Sequence, residues 1–131
     1  MNLETFWLIL GMLFIHWFAD FVMQTDWQAT NKSKNWKALL SHTITYSSWM
    51  LTGIVILTDI LLDLNQEEYL RFGISFFAIT FIMHTITDYF TSRLNTKLWN
   101  NKKVHNFFVS VGFDQWLHYA QLFGTYYLLT A

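Results

Sequence analysis

Histidine and aspartate occur three times at a spacing of four residues, each time inside a segment that is otherwise apolar. Residues four apart share one face of a helix, so both members of a pair can reach the same ion. The third pair runs in the reverse order, as an antiparallel helix requires if its aspartate is to lie at the same depth as the others. We interpret the pairs as donors to one buried layer. They are His16 with Asp20, His84 with Asp88, and Asp114 with His118.

Imidazole and carboxylate together suit zinc, manganese or iron. The sequence contains no cysteine, so nitrogen and oxygen are the available ligand atoms. We predict a divalent metal site, with zinc favoured and manganese or iron as alternatives. Seven donors exceed what one tetrahedral ion requires, so either two ions bind or some donors orient the others. The predicted metal ligands are His16, Asp20, His42, His84, Asp88, Asp114 and His118.

A metal ion in this layer could lower the pKa of a bound water to about 7, which indicates hydrolysis. We predict a metal-dependent hydrolase of a lipid or of another amphiphilic or phosphorylated substrate. One carboxylate among Asp20, Asp88 and Asp114 would act as general base, and His42 as a fourth ligand or an acid. Two alternatives remain open. The layer could bind a proton or a divalent cation in transport, or it could only hold together a noncatalytic accessory protein by hydrogen bonds.

Four nearly charge-free segments must position these donors. The chain is 53% hydrophobic, 20% aromatic and only 13% charged. Each segment has about the 20 apolar residues that a helix needs to cross a bilayer, and none alternates as a barrel strand does. We predict an all-α, polytopic membrane protein with a single domain over residues 1–131. Its four transmembrane helices would span residues 4–24, 38–60, 70–92 and 106–129.

The distribution of charge predicts the orientation of this four-helix bundle. Basic residues concentrate in the first and third connectors, whereas the middle connector is mainly acidic. Basic connectors stay on the cytoplasmic side, so both termini should face away from it. We expect the lysines to contact anionic lipid, expect no nucleic acid, and leave a homo-oligomer open. The basic residues are Lys32, Lys34, Lys37, Arg93, Lys97, Lys102 and Lys103, and the acidic ones are Asp59, Asp63, Glu67 and Glu68.

The donors lie in four stretches, HWFADFVMQTDW (16–27), NKSKNWKALLSH (31–42), HTITDYFTSR (84–93) and FFVSVGFDQWLH (107–118). Through them the chain resembles the bacterial and phage membrane proteins grouped as domain of unknown function 3307. The resemblance covers nearly the whole chain and implies a small multi-pass protein of the bacterial inner membrane, without an activity. A looser similarity is to inner-membrane metal-dependent hydrolases. The chain lacks their Arg-rich, Thr-His-Ser signature, so that similarity implies the topology more than the chemistry.

Overall fold

The computed structural model describes residues 3–61 and 65–131, and all the regular structure in them is helical. The prediction of an all-α fold is confirmed. Asp63, an acidic residue of the predicted middle connector, lies outside the described residues. The elements are α1 (Leu3–Trp17), which continues as a π-helical turn (Phe18–Val22), α2 (Asp26–Asn31), α3 (Trp36–Leu61), α4 (Gln66–Asn100) and α5 (Val104–Thr130).

Two capping boxes determine where helices begin. At α2, the Thr25 hydroxyl accepts from the Gln28 N–H, and the Gln28 side chain accepts from the Thr25 N–H. Asn65 and Glu68 exchange the same pair of bonds at the start of α4. These caps satisfy N–H groups that no helical carbonyl reaches. The cap at Thr25 makes α2 a separate short helix, which packs against α3.

Helix α4 organises the bundle, because it packs against both α3 and α5, while α1 packs against α3. It has 35 residues and is therefore about 50 Å long. Only residues 101–103 connect α4 to α5, so the two helices run antiparallel. Lys102 closes this turn with a φ of 57°, a left-handed conformation that side chains other than glycine rarely adopt.

The interior contains an apolar core and a separate group of buried polar side chains, whereas many large apolar side chains lie outside. Phe14, Phe90 and Trp116 are each at least 60% exposed. In water-soluble proteins, large aliphatic and aromatic side chains are mostly buried. The apolar core consists of Leu8, Met12, Ala19, Tyr46, Met50, Ile54, Phe72, Phe76 and Leu122.

Two helical segments among the described residues are long and apolar enough to cross a membrane, Leu3–Val22 and Gln66–Asn100. Helices α3 and α5 have 26 and 27 residues, which is the length of a span, but polar side chains interrupt them, so neither contains a stretch as apolar as those in the other two. Much of that polarity is buried. The buried polar residues are Thr43, Ser47 and Thr58 in α3, and Asp114, His118 and Thr125 in α5, beside His42.

Candidate metal centre

All seven predicted donors lie among the described residues, and the four long helices bring them to one level of the bundle. Their relative exposures range from 0% to 9%, so the whole set is buried. Ionisable side chains at such positions need partners or a bound cation. α1 and its π-helical turn supply His16 and Asp20, α3 supplies His42, α4 supplies His84 and Asp88, and α5 supplies Asp114 and His118.

The π-helical turn places Asp20 in the interior. Within it the Met23 N–H donates to the Phe18 carbonyl at 3.0 Å, five residues back along the chain. Turns of this kind are rare, and they occur frequently at functional sites. The wider turn lies where the Asp20 carboxylate reaches α3, with its Oδ1 only 3.1 Å from His42 Nε2.

Four donor atoms lie close to one another, and three of them, Asp20 Oδ1, His42 Nε2 and His84 Nε2, form a group that could hold one ion. His42 Nε2 lies 3.1 Å from Asp20 Oδ1 and 3.2 Å from both His84 Nε2 and Asp88 Oδ2. His84 Nε2 lies 3.6 Å from Asp20 Oδ1 and 3.7 Å from Asp88 Oδ2. A tetrahedral zinc ion with bonds of 2.0–2.1 Å separates its ligand atoms by about 3.3–3.4 Å. The donors present here therefore fit a zinc-sized ion.

A second group of donors adjoins the first and shares residues with it. His84, Asp88 and His118 can also place one ligand atom each around a common ion. His118 Nε2 lies 3.3 Å from Asp88 Oδ1 and 3.4 Å from Asp114 Oδ1. Asp88 thus directs Oδ2 toward His42 and Oδ1 toward His118. His84 Nε2 belongs to both groups but can bind only one ion.

Several of these atoms are buried without a hydrogen bond from the described residues. Asp20 Oδ1, Asp114 Oδ1 and His118 Nε2 are in this position despite their close neighbours. An unsatisfied buried polar group costs about 1–3 kcal/mol, and more when it is charged. A cation between the donors would remove this cost. The outer nitrogens, Nδ1 of His42, His84 and His118, also have no such bond.

His16 differs from the other histidines because both of its ring nitrogens are hydrogen-bonded. Nδ1 lies 2.8 Å from the Tyr46 hydroxyl, and Nε2 lies 2.8 Å from Gln115 Oε1. The Gln115 amide in turn donates to Asp20 at 3.4 Å and to Asp114 at 3.2 Å. His16 and Gln115 therefore connect and orient two of the carboxylates from outside the four-atom group.

A family model described as protein of unknown function (DUF3307) matches residues 8–131. The chain belongs to the DUF3307 family. The matched region includes all seven candidate ligands. No curated protein and no solved structure matches the chain.

Lys32 is a residue of this DUF3307 centre that the sequence did not assign to it. Its ammonium donates to Asp88 Oδ2 at 2.7 Å and lies 3.3 Å from His42 Nε2. Burial lowers the pKa of Lys32, but the carboxylates of Asp88 and Asp20 outweigh burial and leave the pKa above its ordinary value. Lys32 is therefore charged at neutral pH and partly balances the buried carboxylates. The sequence signal was the capping box at Thr25, which predicts that a new helix begins there and ends the first span before Lys32.

Tyr46 is a second residue that sequence reasoning missed. Its ring stacks on the His84 ring with centroids 3.7 Å apart, and the His118 ring stacks on His84 from another side at 4.2 Å. Together they fix the plane of His84, so its Nε2 points toward both donor groups. The signal was the spacing of four residues between His42 and Tyr46, which puts both on one face of α3.

Proposed function

We propose that this DUF3307 protein is a multi-pass protein of the bacterial inner membrane and a metal-dependent hydrolase whose substrate is an amphiphile. The observation that carries the proposal is the convergence of Asp20, His42 and His84 at distances that suit one metal ion, with Asp88 beside the two histidines. Zinc suits this mixture of imidazole and carboxylate best. The second group, at His118, provides for one further ion.

The four-span topology is supported by where the polar residues of α3 and α5 lie. Thr43, Ser47 and Thr58 lower the hydropathy of α3, yet all three are buried inside the bundle. The surface that α3 and α5 would present to lipid is instead apolar, with Ile44, Trp116 and others exposed. A helix in a bilayer turns its polar residues toward its neighbours. Membrane lipids are therefore the surroundings that this surface suits.

The proposed orientation rests on the basic residues around the same end of the bundle. Lys34, Lys37, Lys97 and Lys103 are all exposed near the connectors that follow α2 and α4. Basic connectors are retained in the cytoplasm, so the termini would lie on the opposite side. In this orientation the metal centre occupies the cytoplasmic half, close to the headgroups of the inner leaflet.

The three aspartates differ in exposure, and we assign them different roles on that basis. A bound zinc ion would supply a water of lowered pKa and polarise the bond to be hydrolysed. Asp20 and Asp88, with side chains 5% and 2% exposed, would hold the ion. Asp114, at 13% the most exposed of the three, would take the proton of the attacking water. His16 would orient Gln115, which in turn orients Asp20 and Asp114.

Transport is the weaker proposal for the same donors. A proton or cation in passage needs a polar path through the rest of the bundle. Beyond the donors, the interior is instead filled by Met12, Met50, Ile54 and Phe76, each with no exposed surface. Among the described residues, the polar side chains buried beyond the donors are hydroxyls, such as those of Thr58 and Thr125, so no buried ionisable group continues a path through the bundle.

The metal content of the purified protein tests the proposal. We expect one or two zinc ions per chain by elemental mass spectrometry after reconstitution, and near-complete loss in His84→Ala, because His84 belongs to both donor groups. His105→Ala is the matched control, since His105 is an exposed histidine at the start of α5. Zinc-dependent release of product from an amphiphilic ester would then establish hydrolysis. A protein that retains no zinc, manganese or iron would refute the metal centre.

A further inference from the structure

A cavity of about 490 Å³ lies beside the metal centre, between α2 and the facing ends of α4 and α5. Lys32 belongs to both places, because it lines the cavity and also donates to Asp88 Oδ2 at 2.7 Å. A molecule in the cavity could therefore contact Lys32, which itself contacts the proposed metal ligand Asp88. Its walls include three polar residues, Lys32, Ser92 and Asn95, and three aromatic ones, Trp99, Phe107 and Phe108.

The polar wall offers three kinds of hydrogen-bond donor. Ser92 is 9% exposed and therefore 91% buried. Its hydroxyl has no hydrogen-bond partner among the described residues. The side-chain oxygen of Asn95 is buried in the same way, and its amide also carries two N–H donors. Together with the Lys32 ammonium, these groups can bind an anion with several acceptor oxygens.

The aromatic wall leads from the polar wall to the outer surface. Trp99 and Phe108 are 57% and 63% exposed. The rings of Trp99 and Phe107 contact each other with centroids 5.1 Å apart. Such a surface suits an alkyl chain that continues into the bilayer, while indoles favour the headgroup level.

Basic side chains line a hollow that adjoins the cavity. The neighbouring hollow is lined by Lys34, Arg93 and Lys97, and it shares Ser33 with the cavity. A concentration of positive charge beside a site raises the local concentration of anions. The cavity thus adjoins a cationic hollow, and is polar at its inner end and aromatic toward the surface.

We propose that this cavity binds the phosphate headgroup of an alkyl phosphate or phospholipid, with the phosphate on Lys32 and Ser92 and the chain along Trp99 and Phe108. This inference rests on the proposed hydrolase, since it names the substrate class of the same centre. Phosphate offers more acceptor oxygens than a carboxylate, and here they can meet the Lys32 ammonium at the end of α2 and the Ser92 hydroxyl and Asn95 amide of α4.

Calorimetric titration of the purified protein in dodecyl maltoside tests the cavity, with hexyl phosphate, inorganic phosphate and hexanol as probes. We expect hexyl phosphate to bind about tenfold or more tightly than either fragment, because it engages both walls. Equal affinity for inorganic and hexyl phosphate would point to a free phosphate ligand and overturn the amphiphile. Equal affinity for hexanol and hexyl phosphate would overturn the anion site.

Variants assign the binding to particular residues. We expect Lys32→Gln to weaken hexyl phosphate binding about tenfold or more, while Lys37→Gln, an exposed lysine of the same connector, leaves it unchanged. Ser92→Ala should weaken binding without leaving a buried charge unpaired, so it serves if Lys32→Gln does not fold. Trp99→Ala should weaken hexyl phosphate binding but not inorganic phosphate binding. Binding that is indifferent to both Lys32→Gln and Ser92→Ala would refute this site.

The titration is run on zinc-loaded and on chelator-treated protein, so that the two proposals can fail separately. Binding that depends on Lys32 in a protein that never takes up metal would keep the cavity and refute the hydrolase. Stoichiometric zinc together with hexyl phosphate binding that ignores Lys32 would keep the metal centre and refute the cavity.

Discussion

The interior of the bundle has two halves that are buried to the same degree but differ in chemistry. In what we call the apolar half, Met12, Met50 and Phe76 are fully buried against one another. In the donor half, defined by the seven predicted metal ligands, His42 and His84 are buried just as completely. Close packing of apolar side chains stabilises the first half, whereas burying charge in the second opposes folding. A chain under selection for stability alone would fill both halves alike, so the donor half indicates a ligand.

The largest expected effect comes from opening a cavity in the apolar half. Phe76→Ala should destabilise the protein by about 3–5 kcal/mol, because the packing around a fully buried ring is lost. Unfolding by denaturing detergent would measure it. Phe90→Ala on the same helix is the control, since Phe90 is 66% exposed, and its effect should stay within about 0.5 kcal/mol. The zinc affinity of folded Phe76→Ala should be unchanged, and a parallel loss of zinc would show that the halves are not independent.

A change in the donor half should have the converse result. Asp20→Asn should lower zinc affinity by at least about a hundredfold, since even residues outside the ligand set affect affinity by about 10–100-fold. The stability of the chelator-treated protein should change by less than about 1 kcal/mol, because the amide avoids the burial of a charge. Competition with a fluorescent zinc chelator measures the affinity. Asp26→Asn, at an exposed position in α2, should change neither quantity, and unaltered zinc affinity in Asp20→Asn would exclude Asp20 from the site.

Sequence reasoning could identify the donors because their spacing is a local property. Two side chains four residues apart on a helix lie on one face, whatever the rest of the fold does. The spacing of His84 and Asp88 therefore predicts on its own that the two side chains can bind one ion. The helical class followed from composition in the same way. The family resemblance, confirmed over residues 8–131, extended this interpretation to nearly the whole chain.

What the sequence could not predict depends on contacts between distant segments. Lys32 reaches Asp88 across 56 positions of sequence, a separation at which no local spacing rule predicts a contact. A lysine in a basic connector otherwise predicts topology alone. The Gln115 bond that occupies His16 Nε2 spans 99 positions of sequence. The π-helical turn at Phe18–Val22 shows no composition that separates it from the α-helix before it.

An intermediate effect is expected at the residue that links the donors from outside. Gln115→Leu should lower zinc affinity about tenfold, because His16, Asp20 and Asp114 all lose the amide that orients them. Gln121→Leu is the control on the same helix, since that amide bonds Thr87 and none of the donors. Zinc titration of both variants measures the difference. Equal effects would mean that Gln115 contributes only as a polar residue of α5.

The smallest expected effect lies where α1 and α3 approach most closely. A Cβ at Gly53 would come within 2.5 Å of Ile15 Cδ1 and within 2.8 Å of both Cγ atoms. Because the Ile15 side chain is β-branched and stiff, Gly53→Ala should displace α1. We expect a net loss of about 1 kcal/mol in the free energy of unfolding. Gly112→Ala, with no atom within 4 Å, should keep or slightly raise stability through helix propensity.

Since Ile15 adjoins His16, the displacement of α1 by Gly53→Ala should also reach the donor half. We expect zinc affinity to fall about threefold, a smaller change than the tenfold or more expected when a residue that orients the ligands is replaced. The additional change Ile15→Ala removes the obstructing side chain, so the double variant should regain zinc affinity even though it loses apolar packing. Recovery of zinc affinity without recovery of stability would show that α1 transmits the displacement to the donor half. It would also show that the two halves are stabilised by different interactions. No recovery of affinity would place the effect of Gly53→Ala elsewhere than at this helix contact.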